Sequence, residues 1–158
     1  MSDRSSRSTP PTVAPDVPDL EGVGDKEVAQ RLAMAFATFM VGQTHPSESD
    51  YPYDPFWAEL PATTRLTRKA FRDLLGFEAS REIVMGRASR PAPPSEGDWQ
   101  ALFDFVVYDT LLTQMQAMLG ELTDVLARGE SIVAVPYFLF GRLKSGNLCG
   151  LRSTSIET

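Results

Sequence analysis

Only two side chains in this sequence offer the usual nucleophilic or imidazole chemistry, and each occurs once: His45 and Cys149. A Ser-His or Cys-His mechanism would require those two to meet. Cys149 stands in an apolar run between Leu148 and Gly150, the setting of a small buried thiol. His45 precedes Pro46 among turn formers, the setting of an exposed or turn-capping imidazole. One cysteine allows neither an internal disulfide nor a four-cysteine zinc site. The chain has no phosphate loop, no GxGxxG and no HExxH. Carboxylate pairs exist, Glu48 with Asp50 and Glu78 with Glu82, but general acid-base work needs two carboxyls held at a set separation. For Glu78 and Glu82 a solvated face is the simpler reading. The expectation is a protein that is not an enzyme and carries no cofactor of its own.

Two stretches have a pattern that solvation alone does not explain. "PSESDYPYDPFW", residues 46–57, alternates small hydroxyls with acids in a loop stiffened by three prolines. A preorganised loop loses little entropy on binding, so its acids would project as a fixed acidic finger. The competing reading is a turn in which Ser47 and Asp50 satisfy local backbone groups. The second stretch is "GNLCGLRSTSIET", residues 146–158, which carries Ser155, Glu157 and Thr158 directly behind a strand-like run.

Composition limits what could position these stretches. With 158 residues, 42% of them apolar, the chain can bury one core, so a single domain is expected. A net charge of −6 argues against binding a phosphate backbone and suits a basic partner. The N-terminal stretch lacks the apolar core of a secretory signal, and no run approaches the roughly 18 apolar residues of a membrane span. A soluble, cytoplasmic protein with no membrane contact is the expectation. Residues 1–23, rich in proline, serine and threonine, read as a disordered tail, leaving 24–158 as the domain.

Within that domain, Asp25 is expected to cap a helix running to about Val41, with Val28, Leu32, Ala35, Phe36 and Phe39 inward. Residues 43–55 read as loop and "FWAEL" as a short strand. Residues 66–76 predict a short amphipathic helix closed by Gly76. "FEASREIVMG" predicts a strand, and "RASRPAPPSEG" an irregular proline-rich connection. Ala101, Phe105, Tyr108, Leu112, Met115, Leu119, Leu122 and Leu126 recur at helical spacing, predicting one long core helix ended by Gly129. "SIVAVPYFLFG" reads as a buried strand with Pro136 at a break or edge, joined through the turn "RLKSGN" to a final strand as a hairpin. Helices followed by strands point to an α+β domain with helices packed on a sheet.

The motifs "SESDYP" at 47–52, "GDW" at 97–99 and "SGNLCGLRSTSIET" at 145–158, in that order, resemble the nuclease A inhibitor family, and the resemblance covers residues 25–158. It implies a three-layer α-β-α sandwich on a mixed or mainly antiparallel sheet. It also implies inhibition of a magnesium-dependent, sugar-non-specific DNA/RNA endonuclease, as a monomer forming a 1:1 heterodimer and without direct nucleic-acid binding. Glu48 would meet a catalytic arginine of the nuclease, Thr158 would bring its hydroxyl to the nuclease's magnesium, and Trp99 would lie at the interface. Asp50 and Glu157 complete the expected contact set. The chemistry is sound: a carboxylate matches a guanidinium fork, and magnesium accepts a hydroxyl oxygen in place of a water. The alternative on the same fold is an antitoxin or regulator holding a nuclease-like effector inactive until it is cleaved or displaced.

Overall fold

The computed structural model describes residues 18–45, 51–95, 99–129 and 133–156. The first helix, α1, spans Asp25–Phe39. A two-residue ladder follows, β1 at Thr44–His45 and β2 at Tyr51–Pro52, and then β3 at Asp54–Ala58. Helix α2 is Arg68–Leu75, β4 is Glu82–Arg87 and α3 is Trp99–Leu119. Three strands close the order: β5 at Thr123–Arg128, β6 at Ala134–Arg142 and β7 at Leu148–Ile156. β3, β7, β6, β5 and β4 form one sheet in that order, with every neighbouring pair antiparallel.

Side chains alternate across a strand, and here both faces are apolar. Phe138 and Phe140 of β6 point to the opposite face from Tyr137 and Leu139. On one face α1 and α3 cover Tyr137, Leu139, Cys149 and Leu151. On the other α2 inserts Phe71 among Phe56, Phe138 and Phe140, stacked on Phe140 at 5.6 Å and edge-on to Phe138 at 5.2 Å. The α+β fold with helices packed on an antiparallel sheet agrees with the expectation. Double-sided burial explains why β6 reads as a continuous apolar run. Pro136 lies one residue beyond the β5–β6 register, which ends at Tyr137, so its missing N–H interrupts no bond there.

Several local expectations are corrected. The long helix stops at Leu119, and Leu122 and Leu126 belong to the segment beyond it. Gly120 adopts φ 79°, a left-handed turn that favours glycine and terminates the helix. The strand Thr123–Arg128 then alternates buried Val125 and Ala127 with less buried neighbours. Leu119, Leu122 and Leu126 keep an apparent helical spacing only because a turn happens to lie between them.

Helix α1 begins at Gly24 rather than capping on Asp25, which sits with Glu27 in the first turn, where the helix dipole favours acids. Its buried positions are Ala29, Leu32, Ala33 and Phe36, a face rotated from the expected one. The stretch expected as loop from 43 to 55 contains β1, β2 and the start of β3. Residues 19–23, read from sequence as tail, are tied to the domain: Leu20 packs on the core and Arg31 Nη1 donates to the Asp19 carbonyl at 2.8 Å. Residues 1–17 lie outside the described residues. Among the described residues no helix is long and apolar enough to cross a membrane.

Candidate functional site

The short strands that flank the acidic stretch are brought against β7 by local pairing and one side-chain contact. β1 and β2 pair antiparallel, Thr44 with Pro52 and His45 with Tyr51, so the residues on either side of 46–50 are held together as one root. Ser153 of β7 holds that root. Its Oγ lies 2.9 Å from the Pro52 carbonyl oxygen and 3.2 Å from that of Tyr51, close enough to donate to either. Ile156, three residues further on, is the last described residue of the same strand. At the alternation of a strand, Ser153 and Ser155 lie on the same side as Cys149 and Leu151, the face covered by α1 and α3, and both are buried.

Tyr53 anchors the root from inside. Its ring is buried, and burial pushes its hydroxyl far above the ordinary phenol range, with the nearby Tyr108 adding to the effect. Tyr137 donates a hydrogen bond to Tyr108, and burial likewise raises both phenols. Three neutral phenols, from the β2–β3 link, α3 and β6, therefore converge beneath this end. Asp124 faces the same cluster, and burial raises its carboxyl above the ordinary value.

The Tyr108–Tyr137 contact also fixes which end of α3 lies here. Leu119 at the other end of the helix packs over Gly141, so α3 runs from the Ala134 end of β6 toward Gly141. Trp99 precedes Tyr108 by nine residues, about 13 Å of helix. Four residues of strand before Tyr137 cover a similar distance and lead to Val133. Trp99 therefore lies beyond Tyr108 in the direction away from Gly141, while Ala134 at the start of β6 pairs with Ile156. The Trp99 side chain is 72% exposed.

Of the expected contact residues, Trp99 is the one that can be placed: exposed, in the first turn of α3. Glu48, Asp50, Glu157 and Thr158 lie outside the described residues. The neighbours that deliver them, His45 and Tyr51 on one side and Ile156 on the other, are linked through Ser153. Ser153 was not singled out from the sequence, where a lone serine in "LRSTSIET" has no distinguishing pattern. The local signal for it is the alternation that turns Ser153 and Ser155 to the same side.

The groups considered for covalent chemistry are differently placed. Cys149 is fully buried, its Sγ lies 3.3 Å from the Ala29 carbonyl oxygen, and burial pushes the thiol up to about 12 despite a backbone hydrogen bond from Ala33 that opposes the shift. The thiolate is the reactive form, so this sulfur is inert at neutral pH. His45 is held in β1 on the hairpin root, far along β7 from Cys149: His45 pairs with Tyr51, which neighbours Ser153. Among the described residues no group of three or more His, Cys, Asp or Glu side chains is placed to hold a metal ion. What the described residues show here is a two-stranded root fastened to β7 by Ser153, and, separately, an exposed indole in the first turn of α3. No known protein-family model matches this chain, and no curated protein matches it either.

Proposed function

We propose that this protein inhibits a magnesium-dependent, sugar-non-specific DNA/RNA endonuclease by occupying its active-site cleft in a 1:1 complex. The observation that carries the reading is the Ser153 clip, which roots the segment bearing Glu48 beside the strand that leads to Thr158. Two prongs aimed at one cleft must issue from one place, and the contact of Ser153 with Tyr51 and Pro52, residues that flank the two stretches, supports that reading.

In this reading Glu48 presents two oxygens to the arginine that would otherwise hold the scissile phosphate, a charge-assisted pairing. Thr158 supplies a hydroxyl oxygen to the nuclease's magnesium in place of a water. Asp50 and Glu157 add negative charge to the same two stretches of sequence, and the net charge of −6 steers the protein toward a basic cleft. Trp99 packs beside the prongs on the partner's surface. The protein itself performs no chemistry; it excludes substrate and imitates its charge.

Inhibition titrations against a purified endonuclease of this class test the proposal. Glu48→Ala and Thr158→Ala are each expected to weaken inhibition by on the order of 2 kcal/mol, the scale of an interface hot spot. Unchanged inhibition by both variants would rule out this mode of binding.

A further inference from the structure

The two edges of the sheet are unequal. β3, at one edge, contains Pro55, which has no N–H to offer, with the charged Asp54 beside it. β4, at the other, reads EIVMGR, with neither proline nor lysine and with Val84 exposed. A row of unpaired backbone groups on such a strand is a template for a further strand. Two bonds at the ends of β4 decide which residues form that row. The Ala88 N–H donates to the Leu122 carbonyl at 3.0 Å, continuing the β4–β5 register, so Gly86, Val84 and Glu82 also turn their backbone groups toward β5. Ile83, Met85 and Arg87 therefore turn theirs outward. Arg81, next in the outward series, has its carbonyl covered by α2, since Arg72 Nε donates to it at 3.1 Å. Among the described residues nothing bonds to the outward backbone groups of Ile83, Met85 and Arg87.

We propose that β4 pairs antiparallel with β4 of a second copy of this chain, joining the two sheets into one across a two-fold axis. The pattern of the strand itself selects that occupant. In antiparallel pairing outward residues must oppose outward residues, and one register engages all of them: Met85 opposite Met85 and Ile83 opposite Arg87. Val84 then falls opposite Gly86, where an added Cβ would have nothing within 4 Å, so the exposed valine has bare backbone to lie beside. β4 carries its acid, Glu82, at the start and its arginine, Arg87, at the end, so reversal sets the acidic end of each copy next to the basic end of the other. Parallel pairing would set like beside like. An unrelated extended peptide would satisfy the hydrogen bonds without accounting for this order.

The pairing is also self-limiting. It consumes the unguarded edge of each copy and leaves two β3 edges that resist further addition. It does not rest on the proposed function. The hairpin root is fastened to β7, beside β3 and away from β4, so each copy in the dimer keeps its own root and the one-to-one ratio with a target holds.

Sedimentation of the full chain over a concentration series tests the inference, with thermal midpoints verifying that each variant is folded. Wild type is expected to pass from monomer to dimer as concentration rises. Met85→Pro removes an N–H that points to solvent in a single copy, and Val84→Lys charges the edge; each is expected to raise the dimer dissociation constant roughly tenfold or more. If the proline variant does not fold, Val84→Lys decides. Hydrogen exchange reads the same edge: the amides of Ile83, Met85 and Arg87 are expected to slow at high concentration, and those of Val84 and Gly86 to stay unchanged. Residues opposed in a hydrogen-bonded antiparallel pair lie about 5.5 Å apart at Cα, within disulfide range, so Met85→Cys is expected to link two copies when oxidised with copper phenanthroline. Wild type, whose single cysteine is buried, is not. A wild type that stays monomeric at every concentration overturns the inference. So does a dimer that both variants leave intact, or exchange at Ile83, Met85 and Arg87 that does not respond to concentration, since association would then use another face.

Discussion

At the scale of single residues, burial decides the chemistry more than identity does. Cys149 is the sole thiol, and its place under α1 suppresses it. Native protein at pH 8 is expected to resist iodoacetamide for hours and to react at once in denaturant, as followed by intact mass. Rapid native labelling would show that the thiol is open to solvent. Asp124 is displaced in the opposite sense from the usual surface carboxylate, because burial beside the phenols raises its pKa above 3.8. The folded state then holds this proton more tightly than the unfolded state, so its stabilising effect is present at low pH and is lost as pH rises from 3.8 through the raised folded value. Asp124→Asn is expected to be more stable than wild type at pH 7 and equal to it near pH 3. Urea midpoints at the two pH values check this, and a variant less stable at pH 7 would refute the assignment. The burial of Cys149 was legible from its apolar neighbours. Asp124 was not, because the sequence placed it within a helix, where a polar residue can turn outward.

Elements were legible wherever a local signal and the packing agreed. α2 is the clearest case: Thr67 Oγ1 accepts from Ala70 N at 3.0 Å, Gly76 closes the helix, and Phe71 is the large apolar side chain that α2 buries fully. The β6–β7 hairpin likewise follows from its apolar runs and the turn between them. α3 shows the opposite situation. Leucine periodicity continued through Gly120, and nothing in spacing alone distinguishes a left-handed glycine from one tolerated inside a helix. What fixes the end of α3 is tertiary: a Cβ added at Gly141 would lie 2.5 Å from Leu119 Cβ. The helix seats its last turn on bare backbone. Gly141→Ala is therefore expected to cost about 1–3 kcal/mol, by forcing Leu119 and the end of α3 off the sheet. Thermal unfolding measures the cost, and a neutral substitution would mean that the helix shifts freely. The short β1–β2 ladder went unread for a related reason: two residues per strand carry no periodicity, and the turn formers around them signal loop equally well.

For the molecule as a whole, the domain is larger than composition suggests. Proline and serine make the N-terminal stretch resemble a tail, yet Leu20 packs on the core and the Asp19 carbonyl accepts from Arg31. A chain beginning at Pro18 is expected to match the full chain in urea stability, and one beginning at Gly24 to lose about 1–2 kcal/mol. Equal stability of the two shortened chains would place the boundary where composition put it. The candidate site was legible in part: an acidic stretch, an indole and a polar strand end could all be picked from the sequence. The junction of the hairpin root with β7 could not be read there, because it depends on the pairing of Tyr51 with His45 and on the reach of Ser153 across about a hundred residues.

One topological fact bears on when such a protein could act. β7, last of the described strands in chain order, does not finish the sheet at its edge: it is inserted between β3 and β6. Until it enters, β3 has no partner in the sheet, and the hairpin root has no Ser153 to fasten it. Pairing of β3 into the sheet and fastening of the hairpin root therefore both wait for β7, which follows its sheet neighbours in the chain. A partly folded chain without β7 would leave β3 and the hairpin root unfastened together, so the two should become ordered in one step rather than by degrees.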